Sequence, residues 1–341
     1  MQRKSTIYDI AAKLNVSVAT VSRALNDKPN ISAKTKKLVL KTAAEMHYEQ
    51  NLLAVALKSG RSQNVGVIVP RIDSYFFSTV IKGIEEALNP YHYNVIICQT
   101  YRDKNTELTK IEALLNSQVD AIFISTSNDN EAAYERVLEK NVPLIFFDRT
   151  TDIETASSVT INDFEGGYQA TKHLINSGCK KIAHFSGDQN IPIFRERFLG
   201  YRKALDDFAI DYNENLVIKT RSSLEEGKNA VKNLISQNIL PDAIFSAIDY
   251  AALGAIQELQ EGGYKIPEEI SVIGFSNEPF TKFMELSITT INQFPLEMGK
   301  MAAQIFLEQL DSADAKIIKK VVLNPELILR KTTKEISVID K

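Results

Sequence analysis

Near its N-terminus the chain places apolar residues at Ile7, Ile10, Ala11 and Leu14, the i, i+3, i+4, i+7 stripe of a short amphipathic helix. Thr6 stands just ahead as its N-cap, with Asp9 three residues on in place of the usual Glu of a capping box. The stretch Leu14-Asn15-Val16-Ser17 interrupts the stripe, and Asn15 is a turn residue because asparagine tolerates left-handed backbone. A second stripe follows at Val18, Val21, Ala24 and Leu25, with Thr20, Ser22, Arg23 and Asn26 on the other side or its margins. After the loop Lys28-Pro29-Asn30, Ser32 can cap a third helix over roughly 33–47, whose Leu38, Val39, Thr42, Ala43 and Met46 close a small core. Two short helices, a tight turn and a polar face on the second make a helix-turn-helix pattern. On the pattern alone, a three-helix scaffold with a merely wet face is the alternative.

Asn51 to Lys58 is long enough for one or two helical turns, and Ser59-Gly60-Arg61-Ser62-Gln63 is a polar linker. A helix that short is marginal alone in water, so it needs a partner. From Asn64 the texture changes. Apolar runs at Val65–Val69, Val95–Cys98, Ala121–Ile124, Leu144–Phe147, Ile182–Phe185, Ala243–Phe245 and Val272–Phe275 read as strands. Between them lie amphipathic stretches at Thr79–Leu88, Leu108–Leu115, Phe164–Ile175, Phe198–Phe208, Leu224–Ile235 and Ala251–Leu259. Continuous apolar strands alternating with helices predict parallel sheets covered on both faces. A segment of this length exceeds one sheet's core, which predicts two similar lobes. Ligands of such folds sit beyond the carboxyl ends of the strands, here at loops beginning near Pro70, Gln99, Ser125, Asp148, Ser186, Asp249 and Ser276.

Charge sharpens the first pattern. Residues 1–61 hold eleven Lys or Arg and four acids, a net +7, whereas the whole chain carries −3 and the remainder therefore −10. A basic head on an acidic body suits a phosphate-binding module whose polyanionic partner does not stick elsewhere. With 341 residues, 44% hydrophobic and 24% charged, the composition is that of a chain with two or three folded domains. No apolar run reaches the length of a membrane span. The opening MQRKSTIYDIAAKL lacks the apolar core and cleavage site of a signal peptide, so a cytoplasmic protein is expected. Cys98 and Cys179 have no CxxC spacing and suggest neither a disulfide nor a metal site.

Enzyme signatures are weak. Gly274-Phe275-Ser276-Asn277-Glu278 nearly matches the G-x-S-x-G nucleophile elbow after a strand, but it ends in Glu. The α/β-hydrolases also need a histidine after the serine, and His47, His92, His173 and His184 all precede it. No P-loop, dinucleotide-binding glycine fingerprint or HExxH site is present, and the isolated histidines suggest no metal centre. Neither enzymatic activity nor a cofactor is expected.

Together these segments closely resemble the LacI/GalR family of transcription regulators over nearly the whole chain. IYDIAAKLNVSVATVSRALN resembles the family's DNA-reading helices, NLLAVALKSG its hinge helix and NVGVIVP the first strand of its core. PLIFFDR, INDFEGGYQATKHLINSG, DAIFSAIDYAALGAIQEL, ISVIGFSNEP and ITTINQF follow in the family's order. The resemblance implies an all-α helix-turn-helix head over 1–48, a hinge helix and linker over 49–61, and a periplasmic-binding-protein-like α/β core over 62–341. That core would be two doubly wound parallel-sheet lobes, one of about 62–161 and 293–322, the other of about 162–290 and 323–341. It further implies a homodimer on an imperfectly palindromic double-stranded operator, switched by a small-molecule effector, a sugar or sugar derivative. Repression is the default, with an activator of the same family, or a solute-binding protein without DNA function, as alternatives. There is no leucine-heptad tail, only Lys331–Lys341, so a dimer rather than a tetramer is expected.

Carried over residue by residue, Val18, Ala19 and Arg23 would face base edges, Arg23 reading guanine and the other two a thymine methyl. Tyr8, Ser17, Thr20, Ser22 and Asn26 would hold phosphates. Ala54, Leu57 and Lys58 belong to the hinge contact, Leu57 being the wedge that opens a base step in the minor groove. The family often has Pro before Asn51, where this chain has Gln50. The effector positions correspond to Phe76, Phe77, Asp148, Arg149, Ile193, Arg197, Phe245, Asp249 and Ser276. Two departures change the expected chemistry: Ile248 replaces a frequent Asn, and Ser276 replaces the usual Asp. The lost amide and carboxylate leave room for a less hydroxylated ligand, or for an anionic one drawn to Arg149, Arg195 and Arg197.

Overall fold

The computed structural model describes residues 5–26, 30–49, 60–127, 131–151, 153–221, 223–311 and 318–335. The chain divides into two compact units, Met1–Ser62 and Gln63–Lys341. In the first, α1 (Ile7–Leu14), α2 (Val18–Leu25) and α3 (Ala33–Glu45) start and stop on local signals. The Thr6 N–H donates to Asp9 Oδ2 at 2.8 Å while the Asp9 N–H donates back to the Thr6 hydroxyl, so aspartate completes the capping box. Asn15 ends α1 at φ 51°, and the Ser17 and Ser32 hydroxyls accept from the Thr20 and Thr35 amides to open α2 and α3. Ile10, Ala11, Val21, Ala24, Val39 and Ala43 are buried together at their junction. Each fully buried Ile or Val there is worth about 1.5–3 kcal/mol, which offsets the weak intrinsic stability of eight-residue helices.

The second unit holds two six-stranded sheets. The first contains β1 (Asn64–Val69), β2 (Asn94–Gln99), β3 (Ala121–Ile124), β4 (Leu144–Phe147), β5 (Ser157–Ile161) and β11 (Lys320–Leu323), in the order β11-β5-β4-β3-β1-β2. The second contains β6 (Ile182–Ser186), β7 (Val217–Lys219), β8 (Ala243–Ser246), β9 (Ser271–Ser276), β10 (Thr289–Asn292) and β12 (Glu326–Ile328), in the order β12-β10-β9-β8-β6-β7. All pairings are parallel except β12 on β10. The same order in both sheets makes them two copies of one doubly wound plan. The chain passes from the first to the second between Ile161 and Asp163, returns between Asn292 and Pro295, and passes again between Leu323 and Glu326.

Helices cover both faces of each sheet. In the first lobe α4 (Tyr75–Leu88) and α12 (Pro295–Asp311) pack closely because Gly83 and Gly299 face each other's backbones. A Cβ at Gly299 would collide with the Val80 carbonyl oxygen. The opposite face carries α5 (Lys104–Asn116) and α6 (Glu135–Glu139), over a core of Ile68, Ile111, Leu114, Ile122, Ile124 and Phe146. The second lobe is covered by α7 (Asp163–Asn176), α8 (Pro192–Asp207), α9 (Leu224–Ser236) and α10 (Asp249–Glu261), with α11 (Phe280–Phe283) after β9.

Most of these helices start earlier than their apolar stripes suggest, although the one expected from Leu224 starts there. The one expected from Thr79 starts at Tyr75, and the one expected from Phe198 starts at Pro192, since proline is preorganised for a first turn. Strands β5 and β10 have no apolar run, because Ser157, Ser158, Thr289 and Thr290 are buried polar residues within them. Three of these hydroxyls are partnered: Ser157 accepts from Gln309 and the Lys319 amide, Thr289 bonds the Thr333 hydroxyl, and Thr290 donates to Asp249.

Candidate functional site

On the head, Val21 and Ala24 turn inward and leave Ser17, Ala19, Arg23 and Asn26 exposed on α2, with Tyr8 of α1 69% exposed. Val18, Thr20 and Ser22 are half-buried at the margin of that face. The Ser17 and Thr20 hydroxyls lie 2.9 Å apart and serve the helix start, while the Asn26 amide donates to the Ser22 carbonyl at 2.8 Å. Among the described residues no carboxylate pairs with Arg23, so its full donor fork is presented to solvent. Ala54, Leu57 and Lys58 lie outside the described residues.

In the second unit a cavity of about 470 Å³ lies between the carboxyl ends of the two sets of strands, within the size range of small-molecule sites. The loop after β1 supplies Arg71, Asp73 and Ser74, and α4 continues it with Phe76 and Phe77. Arg102 comes from the loop after β2, and Asp148 and Arg149 from that after β4. The other lobe contributes Ile193, Phe194 and Arg197 of α8, Ile248 and Tyr250 around the start of α10, and Ser276 and Glu278 at the end of β9. Of the nine sequence-predicted positions, Phe76, Phe77, Asp148, Arg149, Ile193, Arg197 and Ser276 line the cavity.

Phe245 and Asp249 do not. Phe245 is fully buried in the second lobe's core, stacked on His184 at 4.7 Å. Asp249 is also fully buried, one layer behind the wall, accepting from the Thr290 hydroxyl at 2.6 Å and from the Glu278 amide at 2.8 Å. It thereby holds the turn that carries Ser276 and Glu278. That turn is bent sharply, with Ser276 at φ 126° and Asn277 at φ 55°. Arg330 steadies it by donating to Asn277 Oδ1 at 2.7 Å. Arg195 is exposed beside Glu196 and takes no part in the lining.

Arg197 is already heavily bonded. Its Nε donates to Asp163 at 2.8 Å, its Nη1 to the Ala247 carbonyl at 2.8 Å and its Nη2 to Gln293 Oε1 at 3.1 Å. The guanidinium also lies 3.6 Å from the Phe275 ring centroid. Asp163 and Gln293 belong to two of the three places where the chain crosses between lobes, so Arg197 ties those two crossings together from inside the second lobe. Gln293 in turn donates to the Ser276 hydroxyl at 2.9 Å.

Burial controls the acids here. Desolvation, reinforced by Asp249, pushes the Glu278 carboxyl up to about 7, and desolvation raises Asp249 to about 6. Sequence periodicity gave no sign of Arg71, Arg102, Tyr250, Glu278 or Gln293, which occupy loops or helix starts without an apolar pattern. Their only signal was position just after a strand. A larger hollow of about 650 Å³ lies on the outer surface of the second lobe, but it is open to solvent. Its cations are occupied, Lys203 by Asp207 and Arg202 over the Tyr212 ring.

Comparison with known proteins places this geometry. Residues 6–51 match the model of bacterial regulatory proteins of the lacI family, and residues 62–326 that of periplasmic binding proteins and the sugar binding domain of the LacI family. The chain is 33% identical over 333 residues to the HTH-type transcriptional regulator DegA of Bacillus subtilis, covering 97% of this chain and 98% of that one. Among solved structures it resembles the lac repressor dimer bound to operator and the anti-inducer ONPF, with a TM-score of 0.87 and 26% identity, covering 98% of this chain and 100% of that one. It also resembles a complex of the transcriptional regulator CelR with cellobiose, with a TM-score of 0.72 and 26% identity, covering 96% and 99% of the two chains. Among the described residues no helix is long and apolar enough to cross a membrane. With a capped helix-turn-helix in its first unit and a two-lobed ligand-binding second unit, the chain belongs to the LacI family of DNA-binding transcription regulators.

Proposed function

We propose that this regulator is a cytoplasmic repressor, without enzymatic activity, that binds a palindromic operator as a homodimer and is switched by a carbohydrate-type effector in the interlobe cavity. Arg23 reads guanine from the exposed face of α2, and Val18 and Ala19 offer apolar contact to a thymine methyl. Tyr8, Ser17, Thr20, Ser22 and Asn26 set register on phosphates. Ala54, Leu57 and Lys58 form the hinge contact in the minor groove. The domain plan is a head over 1–48, a hinge over 49–61 and a core over 62–341.

One observation carries the switch: the cavity takes its walls from both lobes, beside the crossings that Arg197 ties together. A ligand there bears on the angle between the lobes. It shifts the equilibrium by as much as its affinities for the open and closed arrangements differ. Phe76, Phe77 and Ile193 supply apolar surface for a sugar face, and Asp148, Arg149, Arg197 and Ser276 supply polar partners for its rim. Asp249 supports this wall from behind, and Phe245 lies in the core of the same lobe.

The test is binding of the full chain to duplexes selected from a random pool, followed by fluorescence anisotropy, with and without a panel of sugars. A palindromic consensus, with affinity for it altered by a compound that also binds the chain, is the expected result. Selection of no consensus, or affinity indifferent to every compound that binds, would overturn the proposal.

A further inference from the structure

The first-lobe wall of the cavity is a cluster of arginines. Arg71, Arg102 and Arg149 arrive from three different loops, after β1, β2 and β4. Two of those loops hold unusual backbone to do it. Tyr101 and Arg102 are both left-handed, at φ 56° and 64°. Asp148 sits at φ 61° in a three-residue turn closed by the Arg149 N–H on the Phe147 carbonyl at 2.6 Å. Such conformations cost free energy and collect at ligand sites.

The charges of this wall are not balanced from within. Asp73 is committed to Arg71 by two hydrogen bonds, of 2.8 and 2.6 Å. Asp148 accepts from the Ser125 hydroxyl and lies 3.7 Å from Arg149 Nε. That distance is an ion pair but not a hydrogen bond, and among the described residues Arg149 Nε is buried without a hydrogen-bond partner in a side chain only 9% exposed. Arg102 pairs with no carboxylate among the described residues, and its nearest like charges are Arg149 and Arg71. Partial burial, then those two arginines, lower its pKa, and the weaker pull of Asp148 does not offset them. The fourth element is α4, whose N-cap Ser74 lines the cavity and makes no side-chain cap bond, leaving the amide end of a fourteen-residue helix facing the same space.

Three converging guanidiniums, an unpartnered buried donor and a helix amide end are the equipment for an oxyanion. Resting on the effector role proposed above, we infer that the effector is a hydroxylated small molecule bearing a carboxylate or phosphate group, seated on Arg102 and Arg149 beside the α4 N-terminus. Arg71, held by Asp73, forms the rim of that subsite. The remaining lining, Phe76, Phe77 and Ile193 with Ser276 and Tyr250, receives the neutral body of the ligand.

Thermal unfolding of the full chain at constant ionic strength tests this with matched triads: glucose, glucuronate and glucose 6-phosphate; galactose, galacturonate and galactose 1-phosphate; ribose, ribonate and ribose 5-phosphate. An anionic member is expected to raise the melting temperature at concentrations where its neutral counterpart does not, and the carboxylate and phosphate arms tell the two sources apart. Arg102→Gln and Arg149→Gln should each weaken that binding on the order of 10- to 100-fold. Arg202→Gln, on the outer surface, should leave it unchanged. Arg102 is the more exposed of the two, so its variant keeps the test available if the Arg149 variant does not fold. Neutral sugars binding as tightly as their anions, or anion binding that survives both substitutions, would overturn the inference while leaving the effector role intact. A panel in which neither class binds would overturn both.

Discussion

Replacing Glu278 by glutamine should make the protein more stable at alkaline pH and leave it unchanged in mild acid. Glu278 is 6% exposed, faces Asp249, and has its carboxyl pushed up to about 7 from the 4.5 of an exposed glutamate. Tyr250 lies close on the same side, and Arg330 donates to Asn277, Thr281 and the Ile288 carbonyl rather than to Glu278. In the unfolded chain the glutamate ionises near its ordinary value. Between that value and about 7 the folded state therefore holds more protons than the unfolded one. Stability then falls as pH rises through this window and levels off above it. The full shift would correspond to roughly 3 kcal/mol, but water entering the cavity screens the charge, which leaves about 1–2 kcal/mol. Glutamine keeps the shape and removes the charge. At pH 8 Glu278→Gln should gain that amount, a rise in melting temperature of roughly 2–4 °C, and at about pH 4, below both values, the two proteins should melt together. Calorimetry across about pH 4 to 8 without ligand measures it. A variant that is less stable at pH 8, or a difference independent of pH, would show that the folded protein holds Glu278 as an ordinary carboxylate.

Three further outcomes are expected. Arg23→Ala should weaken operator binding by about 1–3 kcal/mol with a smaller change on random duplex, as measured by anisotropy titrations on both; equal losses would make Arg23 a phosphate contact instead. Gly299→Ala should destabilise the second unit by about 1–3 kcal/mol in urea titrations, because the new methyl meets the Val80 carbonyl between two helix backbones; an unchanged midpoint would mean that α4 and α12 part at little cost. Arg197→Met should cost about 3–5 kcal/mol, since Asp163 is left buried without its cation, and Arg197→Met with Asp163→Leu should recover much of it; a double variant as unstable as the single one would place the cost in the Ala247 and Gln293 bonds.

Much of this architecture could be read without coordinates. The Ile7–Leu14 stripe, the Thr6 and Ser17 caps and the Asn15 turn are local events, decided by residues three or four apart. The apolar runs at β1, β3, β4, β8 and β9 are equally plain, because a strand covered on both faces takes apolar residues at most positions. Only the folded chain decided the cavity. Phe245 occupies a strand end like other lining residues do, but the alternation of the strand turns it into the core beside His184. Arg102 lies in a stretch with no pattern, and it matters because β2 ends beside β1 and brings it to Arg71 and Arg149. The buried Ser and Thr of β5 and β10 look like loop residues until Gln309 and Asp249 arrive to bond them. Periodicity reports which side of an element is buried, whereas a binding site is a meeting of loops distant along the chain. Their convergence is set by sheet order and lobe crossing, neither of which any single stretch of sequence encodes.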